Sequence, residues 1–214
     1  FTEDFGRIEI IARAIRKITS KLGGNIEIFS LSEIEFIQGK SYKTLTDASS
    51  INMLKNIIDD PHKAEIIYKI GDILNNFIKG QEKDEGTFDL LNKTLNKLNN
   101  LKSTDIKHEL VYYFFLWNFL SLQGYRHEVG VCASCRQKLN PYDVYFSEKE
   151  GGIICKKCLR PDNNAKKINS DIVKILRIIF KKDWDTLLKL KINEPSQKIL
   201  QELSQSVMIA SCPS

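Results

Sequence analysis

Polar and apolar residues alternate with a period of two over roughly the first 45 positions, which is the signature of short half-buried strands. Arg7-Ile8-Glu9-Ile10, Asn25-Ile26-Glu27-Ile28-Phe29 and Ser32-Glu33-Ile34-Glu35-Phe36-Ile37 carry the pattern, with Gly6, Gly23-Gly24 and Gly39 beside them. Glycines at those places fit tight turns, so the region reads as a small sheet or part of a barrel. From about 47 to 124 the repeat becomes helical. Thr46-Asp47-Ala48-Ser49-Ser50 reads as a helix cap before Met53, Leu54, Ile57 and Ile58. Asp60-Pro61 then opens a helix whose apolar face is Ile66, Ile67, Ile70, Ile73, Leu74, Phe77 and Ile78. A charged loop spans 80–86, and Phe88, Leu91, Leu95 and Leu98 form the next stripe.

Thr104-Asp105 reads as the cap of the most apolar helix, 110–122, which includes Phe114, Phe115, Trp117 and Phe119. The run is shorter than the ~20 residues of a membrane span and is interrupted by Asn118 and Ser121. A helix apolar on every side belongs at the centre of a bundle, so its aromatic stripe reads as core. The helical period breaks at 126–165. It returns after Ser170-Asp171 with Ile172, Val173, Ile175, Leu176, Ile179 and Phe180, then with Leu187, Leu188 and Leu190, and finally after Pro195 with Ile199, Leu200 and Leu203.

The break holds Cys132-Ala133-Ser134-Cys135 and Cys155-Lys156-Lys157-Cys158, with 19 residues between the pairs. That spacing matches a four-cysteine zinc site. Two intervening residues let a tight knuckle turn both sulfurs to one point, and two knuckles complete a tetrahedron. Val144-Tyr145-Phe146-Ser147 and Ile153-Ile154 around 148–152 predict the hairpin that returns the second pair to the first. We therefore expect one structural zinc on Cys132, Cys135, Cys155 and Cys158, because four thiolates leave no open position for substrate. Cys212 has no partner spacing. His62, His108 and His127 are scattered and read as surface or boundary residues. No phosphate loop, dinucleotide fingerprint or nucleophile elbow is present, so no catalytic residue is assigned and no enzyme is expected.

The chain of 214 residues has a net charge of +5, and the excess is concentrated. Residues 6–24 hold Arg7, Arg13, Arg16, Lys17 and Lys21 against Glu9 alone, a balance of +4. A basic groove on a small barrel suits tracking of a nucleic-acid backbone, although composition alone leaves a solvated face open. A second basic run is Lys156, Lys157, Arg160, Lys166 and Lys167.

Taken in order, several stretches resemble the RecO family of bacterial recombinational repair proteins. They are Phe1-Thr2-Glu3-Asp4-Phe5-Gly6-Arg7-Ile8-Glu9, Lys21-Leu22, Phe29-Ser30-Leu31, Gly39-Lys40-Ser41, Thr44-Leu45-Thr46, Gly124-Tyr125-Arg126, the first knuckle, and Phe146-Ser147 with Gly151-Gly152 before the second. The resemblance implies an α+β protein: a partial OB-fold barrel over 1–46 whose first strand and hairpin partner precede Phe1, then a helical domain over 47–206 carrying a zinc module at 126–165. It implies binding of single- and double-stranded DNA, strand annealing, and work with RecR and single-strand-binding protein to load RecA, in the bacterial cytoplasm at the nucleoid. Ile18-Thr19 stands where the family often has proline, and the tail 204–214 lacks the expected basic ending. The rival expectation is a protein–protein adaptor that uses the helical and zinc region without touching DNA.

Overall fold

In the structure, a computed structural model that describes residues 1–13, 22, 25–102, 107–140, 142–159 and 164–212, the chain is a mixed α+β protein. It divides into two compact units, Phe1–His108 and Glu109–Ser214.

The first unit is organised by a long antiparallel ribbon. Strand β2 (Ser30–Gln38) pairs with β3 (Lys43–Met53) from Gln38↔Lys43 to Ser30↔Met53, with register shifts at Leu31/Ser32 and Glu35/Phe36. The short β1 (Ile10–Ile11) lies parallel to the start of β3, so the strand order is β1-β3-β2. Among the described residues neither sheet of the chain closes on itself to form a barrel.

Two local expectations are corrected here. Residues 46–50 do not cap a helix; they are strand. Leu45 and Ala48 are buried, and the ladder to β2 satisfies the backbone that a cap would otherwise serve. Residues 25–29 do not form a strand. Phe29 sits at φ 61, and the Ser30 hydroxyl donates to the Glu27 carbonyl at 2.7 Å, which closes a turn. The division expected at 46/47 falls inside β3, which runs on to Met53 with only Leu54 before α1 (Lys55–Ile58).

Asp60 caps α2 (Pro61–Phe77) by accepting from the backbone N–H of His62 and Lys63. Ile66, Ile67, Ile70 and Ile73 form its buried face, as the repeat predicts. Asp84 caps α3 (Glu85–Asn100), whose buried residues are Thr87, Leu90, Thr94 and Leu98; of the expected stripe Leu98 is buried, while Phe88, Leu91 and Leu95 are half-buried beside that face. The Thr94 hydroxyl donates to the Leu90 carbonyl at 2.7 Å, so threonine enters the core with its polar atom satisfied. Lys63 is buried, and its ammonium donates to the Leu101 and Asn99 carbonyls at the end of α3. Polar contacts tie the sheet to α3 and to the loop before it: Asn52 to Asn96 at 3.0 Å and Lys43 to Gln81 at 2.7 Å. Gly6, at φ 60, presses against the Glu82 carbonyl, where a Cβ would sit 2.1 Å from the oxygen.

The second unit is built on α4 (His108–Leu122). Leu110, Val111, Phe114, Phe115, Leu116, Trp117, Phe119 and Leu120 are all buried, so every face of the helix is covered. Phe114 stacks on Trp184 with ring centres 3.6 Å apart. The Trp117 indole donates to the Ser204 hydroxyl at 3.0 Å and meets Phe146 and Phe180 edge-on. Asn118 enters the core by donating to the Phe114 and Ile179 carbonyls. These contacts join α4 to α5 (Ser170–Phe180), α6 (Trp184–Leu187) and α7 (Glu194–Ser211), and to a small sheet of order β5-β4-β6. Its strands are β4 (Val144–Ser147), β5 (Gly152–Cys155) and β6 (Lys166–Ile168). The expected cap at Thr104-Asp105 lies outside the described residues. No helix among the described residues is long and apolar enough to cross a membrane.

Both tryptophans of the sequence, Trp117 and Trp184, lie in the second unit, so tryptophan fluorescence reports its unfolding. Phe114→Ala removes a side chain that is 2% exposed, and should destabilise this unit by about 3–5 kcal/mol. An unchanged denaturant midpoint in that fluorescence would contradict the packing described.

Candidate metal centre and basic surface

The first knuckle is the tip of a narrow hairpin. Val131 and Lys138 bridge antiparallel, the Cys132 N–H donates to the Gln137 carbonyl at 2.9 Å, and the Arg136 N–H returns to the Cys132 carbonyl at 2.9 Å. Arg136 closes the turn at φ 61. One Glu128 oxygen accepts from the Gly130 and Val131 N–H groups at 2.8 and 3.3 Å, and the other accepts from the Arg136 guanidinium at 3.2 Å. The Gly130 amide, helped by Val131 and Arg136, holds this carboxyl below the usual range against its partial burial. Glu128 thus clamps the approach to the knuckle and its closing residue together.

The second knuckle arrives on the predicted hairpin. β4 and β5 pair from Val144↔Cys155 to Ser147↔Gly152, and a single turn at Lys156–Cys158 brings the last thiol back. The two knuckles are joined by backbone. The Glu128 N–H donates to the Gly151 carbonyl at 2.9 Å, Ile153 donates to the Glu128 carbonyl at 2.8 Å, and Ala133 donates to the Ile153 carbonyl at 2.8 Å. This crossing needs glycine at 152: its φ is 153, and a Cβ would lie 2.2 Å from the Glu128 carbonyl oxygen.

The sulfurs of Cys132, Cys135, Cys155 and Cys158 all lie within 4.8 Å of one another. Cys135 to Cys155 is 3.9 Å and Cys155 to Cys158 is 3.7 Å. Four sulfurs at ~2.3 Å from a tetrahedral ion sit roughly 3.8 Å apart, so the donor set fits one zinc. The same distances are far beyond the ~2.05 Å of a disulfide. Burial opposes ionisation of Cys132, but the amides of Cys135, Cys155 and Ser134 prevail and bring it down to about 6. The Cys155 N–H reaches its sulfur at 3.3 Å. Hydrogen bonding with Cys135, together with desolvation and Cys155, pushes Cys158 up to about 12. Among the described residues this is the one cluster of histidine, cysteine or carboxylate groups close enough to hold a metal.

The histidines stand apart from it. His108, read from the sequence with the others as a surface or boundary residue, is buried. His127 packs against Trp117 and Phe146, and burial pushes its imidazole pKa down. Cys212 follows α7, exposed and outside the cluster.

Of the basic residues in 6–24, Arg7 and Arg13 are described; Arg16, Lys17 and Lys21 lie outside the described residues. Arg7 donates to the Asn75 and Ile78 carbonyls at 3.4 and 3.3 Å, closing the end of α2, and lies 3.8 Å from Glu9. Arg13 stands over the Tyr42 ring, 5.4 Å from its centre, and donates to the hydroxyl at 2.5 Å. In the second run Lys156 pairs with Asp143 at 3.4 Å, while Lys166 and Lys167 are exposed on β6 opposite Phe146 and Tyr145. Arg160 lies outside the described residues. The sequence reading missed Glu128, and took Gly152 only as part of the hairpin turn and of the family resemblance. Their signal is present only in hindsight, since a carboxylate four residues before a knuckle and a glycine three before the next gain meaning once the chain crossing is seen.

Two family profiles match the chain. A profile described as the recombination protein O N-terminal region matches residues 1–54, and one for the C-terminal region matches 59–208. A DNA repair protein RecO from Dehalococcoides mccartyi is 33% identical over 206 residues, covering 96% of this chain and 78% of the relative. Namesakes from Alkaliphilus metalliredigens and Halalkalibacterium halodurans are 27% and 25% identical, covering 98% and 95% of this chain and 84% and 78% of their own lengths. Both profiles run in order along nearly the whole sequence, and the four cysteines fall inside the second: the chain belongs to the RecO family of recombination and DNA-repair proteins.

Proposed function

We propose that this chain is a DNA-binding and strand-annealing recombination mediator without covalent chemistry of its own. The observation that carries the reading is the four-thiol centre inside a RecO-family chain. Four thiolates complete the coordination of a zinc ion, so the metal organises the fold and does not activate water or substrate. The remaining chemistry is electrostatic. Arg7, Arg13, Arg16, Lys17 and Lys21 hold single- or double-stranded DNA by its phosphates and lower the repulsion when a complement arrives. The twice-shifted ribbon of β2 and β3 supports an OB-type barrel, because such irregularities bend strands toward closure. In this reading the helical and zinc regions receive RecR and single-strand-binding protein, and RecA is loaded on the strand that is released. The setting is the bacterial cytoplasm at the nucleoid.

Purified chain should carry one zinc, and Cys135→Ser should lose it together with local order, because binding energy at such a site is folding energy. Metal analysis without zinc, with all four thiols titrating freely under native conditions, would remove the structural-metal part of the reading.

DNA binding should weaken steeply with salt. Five phosphate contacts to a single strand give a log–log slope of roughly −3.5, and four give about −2.8 if Arg7 stays on the α2 carbonyls. Arg13→Glu, Arg16→Glu and Lys17→Glu together should flatten the slope and stop annealing while zinc is retained. Unchanged affinity and slope in that triple variant would turn the assignment toward the adaptor reading.

A further inference from the structure

We propose that Tyr42 is a base-stacking platform, so that the site takes single-stranded DNA by its bases as well as by its phosphates. The inference rests on the DNA-binding reading and gives it a strand preference. It starts from three side chains that a simple sheet would hide. Register places Ile11 opposite Thr44 and Thr44 opposite Ile37, one row across β1, β3 and β2. Ile11 is 45% exposed and Ile37 is 64% exposed. Tyr42, at the turn that joins β2 to β3, is 44% exposed. A β-branched pair and an aromatic ring are therefore presented to solvent at one end of the sheet.

The setting of the ring identifies what it meets. The Arg13 guanidinium stands 5.4 Å from the ring centre and donates to the hydroxyl, so the ring is tied in place before any ligand arrives. Lys40, in the same turn, is exposed, and Lys43 lines the hollow beside the ring. A rigid aromatic among cations matches a strand whose phosphates alternate with flat, unpaired bases. The carboxylates near it set the limits of the contact. Glu9 lines the hollow beside Tyr42 together with Gln38, Ser41 and Lys43, and stands 3.8 Å from Arg7. Farther along the ribbon Glu35 opposes Asp47, and Glu33 is exposed. Those acids repel a backbone, so the strand is taken at the turn end and not along the ribbon. A duplex keeps its bases stacked on one another and offers the ring nothing comparable.

The test compares oligothymidine with an abasic oligomer of equal length and charge, by fluorescence anisotropy on the full chain. Wild type should prefer oligothymidine by about 5- to 160-fold, the range of one stacked base. Tyr42→Ala should lose most of that preference with the salt slope unchanged. Tyr42→Leu, which keeps apolar bulk without a π face, should lose it equally, and Tyr42→Phe should keep it. Equal binding of both oligomers by wild type would overturn the stacking role and leave phosphate binding standing. A preference that survives in the alanine and leucine variants would also overturn it. No binding of either oligomer would overturn both this inference and the DNA-binding reading.

Discussion

Four thiols within 4.8 Å of one another form an arrangement that protons alone satisfy poorly. Amides favour the charged form of Cys132, while hydrogen bonding with Cys135 and desolvation favour the neutral form of Cys158. A zinc ion would hold all four as thiolates. The demand for convergence then dictates much of the second unit. Two knuckles must be brought to one point, which requires the close crossing at Glu128 and Gly152 and the hairpin of β4 and β5. The hairpin needs a floor, and Phe146 finds it against Trp117 at the middle of α4. The four-cysteine module and the helical core thus share a wall of aromatic side chains.

What could be read before the structure was known follows from how local each signal is. The cysteine pairs and the apolar run of α4 are legible because spacing and continuity are properties of a short stretch. Strand β3 was not legible from Thr46 onward. Thr46-Asp47-Ala48-Ser49-Ser50 has the composition of a helix cap, and only pairing with β2 makes it a strand. Such pairing joins residues distant in sequence and leaves no local mark. The buried face of α3 has a related cause: Thr87 and Thr94 are polar by composition, but Thr94 becomes core once its hydroxyl bonds back to the helix.

Charge was legible as an amount and not as an arrangement. The balance of +4 over 6–24 counts Arg7 and Arg13 alike. In the structure Arg7 neutralises the carbonyl end of α2, and Arg13 is held over an aromatic ring. A cation engaged with carbonyls must give up those bonds to take a phosphate, while a guanidinium that donates to one tyrosine hydroxyl keeps further N–H donors for a phosphate. The same charge thereby divides into one part that secures the fold and another that remains available.

That division bears on how a mediator of strand pairing can work at all. Annealing requires each strand to be held while its Watson–Crick edge stays open to the complement. Hydrogen bonds to base edges would hold the strand by the groups that must be released, and would bind some sequences better than others. Phosphate contacts avoid both difficulties, and a stacked base keeps its edge free because the ring touches only its face. A purely electrostatic hold would retain the finished duplex as firmly as the strand, since the duplex carries more charge per unit length. Stacking on a single aromatic supplies the asymmetry. It is available to the unpaired strand and withdrawn as bases stack in a duplex, so the proposed site weakens its grip as its product forms.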